Sequence, residues 1–272
     1  MWPATRICSP YRPDRAAHLP NASVSSPHYN GRILAREDLT GSLAFFQVSF
    51  DDDPRPFLPG QYLTVGLDSG ERLVQRPYSV ASSARRPQDG YELYIRLIPG
   101  GELTPLLFTA RPGQRLALRG PKGRFTLDPH DPRIHLFIAT GCGIAPFMAM
   151  LRTLLDDDAL RPTVLLHGVS HVRELAYRAL LEQWADAPAR RLHYVPTISR
   201  PDDPANAGWR GSVGRVEAVV AAACDAHGLT RVNSVAYVCG NPEMVRTVGA
   251  TLRSRGFGPE QVRTELYWPL PH

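Results

Sequence analysis

Between Asn30 and Asp131 the apolar positions fall in short bursts separated by Pro, Gly and clustered acids. Six runs stand out: "GRILARE", "LAFFQVSF", "QYLTVGL", "RPYSVAS", "YELYIRLI" and "QRLALRG". Stretches such as "DDDPRPFLPG", "RRPQDG" and "ARPGQ" punctuate them. Short β-rich runs at this spacing predict an antiparallel barrel or sandwich. One stretch breaks the pattern, since "GELTPLLFTARPG" reads as a helical interruption before the last run.

From about Pro132 the texture changes. "IHLFIAT", "TVLLHGV", "RLHYVPTIS", "VAYVCG" and "VRTELYW" are apolar runs of buried-strand type. Helical patterns fill the gaps: "APFMAMLRTLL", "VRELAYRALLEQW", "VGRVEAVVAAACDAHG" and "PEMVRTVGATLRSRG". Strands alternating with helices predict a doubly wound α/β domain, a parallel sheet with helices on both faces. Ligands of such sheets sit at the carboxyl ends of the strands. The chain of 272 residues thus divides into a β domain over 29–131 and an α/β domain over 132–272. Residues 1–28 are rich in Pro, Ser and Arg, lack periodicity and carry no apolar signal core; they read as a disordered tail.

Charge and cysteine usage exclude some chemistry. No run of eighteen apolar residues suggests a membrane span. A net charge of +5 and a pI near 9.2 favour acidic partners or anionic ligands. The arginines are spread along the chain with no basic helix or stacking motif, which argues against nucleic acid. The four cysteines, Cys8, Cys142, Cys224 and Cys239, are too scattered for a zinc or iron–sulfur site. A reducing cytoplasm is the expected compartment.

Three stretches carry candidate chemistry. "QRPYSVAS" places Arg76 and Tyr78 on one face of a strand by period two. The pair suits a ligand with both a phosphate and a planar ring, or is an ordinary exposed Arg beside a half-buried Tyr. In "GGELTP", Thr104 reads as the cap of a helix with Pro105 at its first position. "ATGCGIAPF" is the turn from the first parallel strand into its helix. Gly141 and Gly143 are expected to permit φ > 0 and a phosphate's approach, with Pro146 in the first helical turn. "YVCGNPEMV" repeats that geometry, placing Cys239 at the end of a later strand.

Taken in order, "RPYS", "GGELTP", "GPKGRFTLD", "TGCGIAPF", "HGVSHVRELAY", "ISR…GR", "YVCGNPEMV" and the terminal "ELYW" resemble the ferredoxin–NADP reductase family, most closely its bacterial ferredoxin/flavodoxin reductases. The resemblance covers about residues 30–268 and implies a six-stranded Greek-key barrel that binds FAD, followed by an NADP-binding doubly wound sheet. By matching position, the implied FAD-binding residues are Arg76, Pro77, Tyr78, Ser79, Arg96, Leu97, Leu103, Thr104 and Trp268. The implied NADP site comprises Thr140, Gly141, Cys142, Gly143, Arg173, Ser199, Arg200 and Arg215. Ser79, Cys239, Glu265 and Tyr267 match the catalytic positions, with Tyr267 the aromatic that covers the flavin ring. The family often has threonine where Cys142 stands, and a Pro-Leu-Pro-His extension follows Trp268.

Ser199, Arg200 and Arg215 stand at the family's 2′-phosphate positions, and no acid directly follows "TVLLHGV". This favours NADPH over NADH. Relatives often read "HGVR" where this chain has Ser170; Arg173, expected on the same side of a helix, substitutes for that charge. The implied activity passes electrons between NADPH and ferredoxin or flavodoxin through FAD, in a monomer. Acidic carriers of this kind suit the basic balance of the chain. The alternatives are an NAD(P)H-dependent reductase component of an oxygenase and a flavin electron-transfer subunit of a larger complex.

Overall fold

The computed structural model describes residues 28–187 and 191–267. The expected N-terminal tail up to residue 27, and Trp268 with the extension after it, lie outside the described residues. Six antiparallel strands form the first unit: β1 Gly31–Thr40, β2 Leu43–Phe50, β3 Tyr62–Asp68, β4 Leu73–Ser79, β5 Tyr91–Arg96 and β6 Arg115–Lys122. Their order, β4-β3-β6-β1-β2-β5, is a Greek-key arrangement. A bridge between Val80 and Leu93 and the Ala81 N–H to Glu92 carbonyl bond of 2.8 Å join the two ends into a barrel.

Alternation along β2 serves two cores at once. Ala44, Phe46, Val48 and Phe50 point into the barrel, while Leu43 and Phe45 point outward into a second cluster. The one helix of this unit, α1, spans Thr104–Thr109. Thr104 does not cap it, contrary to the expectation. It is the first helical residue, and its hydroxyl accepts the Ile98 N–H at 2.9 Å, bracing the Ile98–Gly101 turn instead.

The second unit is a six-stranded sheet, parallel throughout: β7 Ile134–Thr140, β8 Thr163–Val169, β9 Leu192–Ile198, β10 Ser212–Val213, β11 Ser234–Gly240 and β12 Val262–Leu266. The order is β10-β9-β8-β7-β11-β12, so the short β10 adds an edge strand that the apolar pattern did not reveal. Side chains of β7 alternate between faces. Phe137 and Ala139 pack on α2 (Ala145–Asp156), and Leu136 and Ile138 pack under α4 (Val216–Ala226) and α5 (Pro242–Ser254). The chain leaves β7 towards one edge and returns to its other side at β11, which makes the crevice at their carboxyl ends the switch point.

The expected long helix "VRELAYRALLEQW" is broken. A 3-10 turn covers Val172–Glu174, Tyr177 adopts φ 60°, and only Arg178–Ala185 is the helix α3. Tertiary contacts override local propensity here. The Glu174 carboxylate accepts the Ser170 N–H at 3.1 Å. Tyr177 is drawn onto the barrel, its ring 4.9 Å from Phe45 and its hydroxyl donating to Glu92 at 2.8 Å.

The two units share a core. Leu43, Ala81, Tyr94, Phe125 and Leu127 of the barrel side belong to one buried cluster with Phe147, Met150 and Leu154 of α2. Each large side chain in it contributes about 1.5–3 kcal/mol by burial. Arg152 fixes the register between the units, donating to the Ala81 carbonyl at 2.8 Å and to Glu92 at 2.7 Å. Arg263 ties β12 to the Thr126 carbonyl at 2.9 Å.

Candidate active site

The carboxyl ends of β7 and β11 face the open side of β4 and β5 across a cleft of about 1110 Å³. Of the residues singled out from the sequence, the cleft brings together Arg76, Pro77, Tyr78, Ser79, Arg96, Leu103 and Thr104 from the barrel side. From the sheet side come Thr140, Gly141, Cys142, Ser199, Arg215, Glu265 and Tyr267. Leu97, Gly143, Arg173, Arg200 and Cys239 do not line it. Leu97 donates its N–H to Ser42 at 2.8 Å and extends the strand pairing. Cys239 is fully buried one layer behind the wall.

At the junction of the units, the Ser79 hydroxyl donates to Glu265 Oε2 at 3.1 Å. The Cys239 thiol donates to the same oxygen at 3.8 Å. Parallel pairing puts Cys239 beside Glu265 on neighbouring strands, which is why two residues far apart in sequence meet. Burial raises the Glu265 carboxyl above its ordinary range, partly offset by these two donors. Burial also lifts the Cys239 thiol well above its usual value and pushes Cys142 up to about 12. Both sulfurs are therefore neutral thiols at physiological pH, unsuited to nucleophilic attack. The Tyr267 N–H donates to the Gly240 carbonyl at 2.9 Å, while its buried hydroxyl has no hydrogen-bond partner among the described residues.

The barrel side offers what a flavin dinucleotide needs. Among the described residues, the N–H groups of Glu102, Leu103 and Thr104 have no backbone acceptor. They follow Gly100, at φ +74° with open space around it. A pyrophosphate fits that cradle of free donors. Tyr78 is half-buried on the wall and presents a ring for stacking. Leu103 and Thr104 are buried, so only their backbone is available to a ligand. Arg76 donates to Glu102 Oε2 at 2.5 Å, and Arg72 pairs with the other oxygen of the same carboxylate. Glu102 was part of the quoted motif "GGELTP", but nothing in the sequence said that it would take up the Arg76 fork.

The turn after β7 begins with Thr140, whose hydroxyl accepts the Asn241 N–H at 3.0 Å. Gly141 has φ +50° and open space on its cleft side, where the nearest atom to an added Cβ is an Arg96 nitrogen at 3.8 Å. Gly143 does not adopt positive φ, contrary to the expectation. Its hydrogen is required by packing, because a Cβ there would meet the Cys239 carbonyl oxygen at 2.3 Å. The 3-10 turn Gly141–Ile144 then runs into α2. An anion fits above this turn, on the positive end of the helix.

Arg96 stands between the two halves rather than out among free donors. Its guanidinium lies 3.5 Å from Glu174 Oε1, and Glu174 in turn caps the loop after β8. No sequence signal marked Glu174, whose role depends on the helix break around it. At the outer end of the cleft Ser170, Ser199 and Arg215 line the wall. Arg173 and Arg200 lie just outside and are exposed. Arg173 sits in the 3-10 turn, not on the helix face expected for it. Arg215 is 70 % exposed and 3.9 Å from Glu217, a loose pair that leaves its fork available. Among the described residues, no cluster of side chains suits a metal ion and no helix is long and apolar enough to cross a membrane.

Two family models match the chain. The oxidoreductase FAD-binding domain family matches residues 30–127, and the oxidoreductase NAD-binding domain family matches residues 137–249. The chain is 33% identical over 203 residues to ferredoxin–NADP reductase B of Sorangium cellulosum, covering 72% of this chain and 79% of that one. It is 34% identical over 199 residues to an NADPH oxidoreductase of Mycobacterium tuberculosis, a match covering 70% of this chain but only 51% of that protein. The chain thus spans about half the length of that relative. The crystal structure of a ferredoxin NADP+ reductase from Neisseria gonorrhoeae with bound FAD and NADP superposes with a TM-score of 0.76 at 25% identity. That match covers 87% of this chain and 97% of the other.

Proposed function

The chain belongs to the ferredoxin–NADP reductase family, and from that premise we propose that it exchanges electrons between NADPH and a ferredoxin or flavodoxin. The observation that carries this reading is the single cleft. In it the free donors of the Gly100–Thr104 turn, the Tyr78 ring and the bare Gly141 turn converge on Ser79 and Glu265. FAD, when bound, accepts a hydride from the nicotinamide and releases electrons one at a time.

The protein's part is orientation and environment. Arg76 and the N–H groups of Leu103 and Thr104 hold the flavin's phosphates, and Tyr78 stacks on its ring. Ser79 presents a hydroxyl at the junction, backed by the Glu265 oxygen it donates to. Thr140, Gly141 and Cys142 receive the nicotinamide half of NADPH. Tyr267, which is half-buried against the core and whose backbone N–H is held by Gly240, is the side chain that yields to it. Ser199, Arg200 and Arg215, with Arg173 replacing the charge that Ser170 lacks, meet the 2′-phosphate.

Purified protein is expected to be yellow, and its flavin absorbance to bleach with NADPH in preference to NADH. Arg200→Ala and Arg215→Ala are expected to raise the Michaelis constant for NADPH with little change for NADH. A colourless protein that takes up no added flavin refutes the reading. Unchanged NADPH constants refute the 2′-phosphate assignment. Reduction rates with ferredoxin, flavodoxin and an oxygenase's iron–sulfur protein identify the carrier; failure with the first two overturns the carrier assignment.

A further inference from the structure

Ser170 and Ser199 at the outer end of the cleft lie on two loops, one after β8 and one after β9, while Arg215 follows β10 at the start of α4. A buried side chain, Asn206, joins the two loops. Asn206 is 2% exposed and lies in the 3-10 turn Pro204–Asn206. Its Oδ1 accepts the Val172 N–H at 2.8 Å. Its Nδ2 donates to the Ser170 carbonyl at 3.1 Å and to the Arg200 carbonyl at 2.6 Å. One carboxamide thus ties the Ser170 carbonyl and Val172 N–H of the first loop to the Arg200 carbonyl of the second. The chemistry requires an amide: two donors and one acceptor are needed in one planar group, which neither Asp nor an apolar residue supplies.

A second stitch lies beside it. Asp203 Oδ2 pairs with His171 Nε2 at 3.1 Å, and Asp203 Oδ1 accepts the Ala205 N–H at 2.8 Å, which shapes the turn holding Asn206. Neither Asn206 nor Asp203 lines the cleft. Long exposed arginines on unbraced loops would converge poorly on one dianion, because their own freedom must be lost on binding. We propose that Asn206, supported by Asp203, is the positioning residue for selection of the 2′-phosphate, acting by holding the Ser170–Arg173 and Ser199–Arg200 segments at one fixed separation. The proposal rests on the reading of the cleft's outer end as the 2′-phosphate site.

The test measures binding of 2′,5′-ADP and of 5′-AMP by calorimetry to the full-length wild type, Asn206→Ala and Asp203→Ala, with flavin content and Tm recorded for each. The wild type is expected to bind 2′,5′-ADP more tightly than 5′-AMP. Equal affinities there refute the site reading itself, separately from the role of Asn206. In Asn206→Ala the affinity for 2′,5′-ADP is expected to fall on the order of tenfold, the scale of losing one hydrogen bond to a charged group. Binding of 5′-AMP should fall far less. In turnover the Michaelis constant for NADPH should rise by a similar factor at unchanged kcat, and that for NADH should barely move. A proportional loss for both nucleotides would mark a merely structural role and overturn the proposal, as would no loss. Should Asn206→Ala not fold, Asp203→Ala decides, with a smaller drop confined to 2′,5′-ADP expected and unchanged selectivity counting against the proposal.

Discussion

Replacing Gly143 with alanine tests the geometry of the site most directly. The added Cβ falls 2.3 Å from the Cys239 carbonyl oxygen, 2.7 Å from its carbonyl carbon and 2.9 Å from Gly240 Cα. All three are backbone atoms of β11, which is paired on both sides within the sheet and has no rotamer to give. Ordinary contact begins at 3.4 Å, so the Gly141–Ile144 turn and the end of β11 must separate by about 1.1 Å. Overpacking of this kind costs about 1–3 kcal/mol. In a chain of this size that lowers Tm by about 2–4 °C per kcal/mol. The kinetic effect should be larger. The turn carries Cys142 and the bare face at Gly141, and a displacement of about 1 Å in a positioning element costs on the order of a hundredfold in rate. Stopped-flow bleaching of the flavin by NADPH reads the hydride step, and differential scanning calorimetry reads the stability. Gly41→Ala is the matched control, since its Cβ meets nothing within 4 Å. A Gly143→Ala protein with wild-type bleaching and wild-type Tm would show that the turn and β11 are not in the contact described.

Three further outcomes follow from burial and charge. Glu265 has a carboxyl raised by burial, so its stabilising contribution is complete below the ordinary carboxylate value and is lost as pH rises through the raised one; Glu265→Gln should raise Tm at pH 7 but not at pH 4, and equal shifts at both would contradict this. His135 is fully buried with neither ring nitrogen partnered, and burial lowers its value to about 4. The unfolded chain takes up that proton from about pH 6.5 downward, so stability falls between 6.5 and 4 by about 3 kcal/mol; in His135→Phe the acid limb of a Tm-against-pH curve should flatten, and an unaltered limb excludes His135 as its source. Glu102 occupies the fork of Arg76, so Glu102→Gln should tighten FAD binding to the apoprotein, measured by fluorescence quenching; weaker binding would mean that Glu102 orients Arg76 instead of competing for it.

What could be read in the sequence, and what could not, divides along physical lines. Strand identity was legible because burial on a pleated surface imposes its own period. Leu43 and Ala44 point to different cores, and so do Leu136 and Phe137. The turn after β7 was legible as a glycine turn, yet the reason for its second glycine was not. Gly143 answers to the Cys239 carbonyl, nearly a hundred residues away, and no local pattern encodes that approach. Tyr177 misled in the same way. Its segment has helical periodicity, but the hydroxyl reaches Glu92 and the ring reaches Phe45, and the chain bends to φ 60° to allow both. Thr104 chose the Ile98 N–H over its own helix.

These surprises share a consequence for the chemistry. Exposed charge stands at the two ends of the cleft, Arg72, Arg76 and Glu102 at one and Arg215 at the other, while the Arg96–Glu174 pair lies between them. The junction between them is built from Ser79, two thiols held neutral by burial and a carboxyl raised by burial. Under the proposed function, a hydride would pass from one ring to the other there without a proton-transfer partner. A centre free of strong bases and nucleophiles protects that step from side reactions with water and thiolates. Under the proposed function, ionic recognition at the ends would orient the two dinucleotides, with the Arg96–Glu174 pair as a fixed charge pair beside the reacting centre. The long-range contacts that the sequence concealed brace this arrangement: Arg96 pairs with Glu174 beside the junction, and the Ser170 and Arg200 loops are joined through Asn206 at the rim.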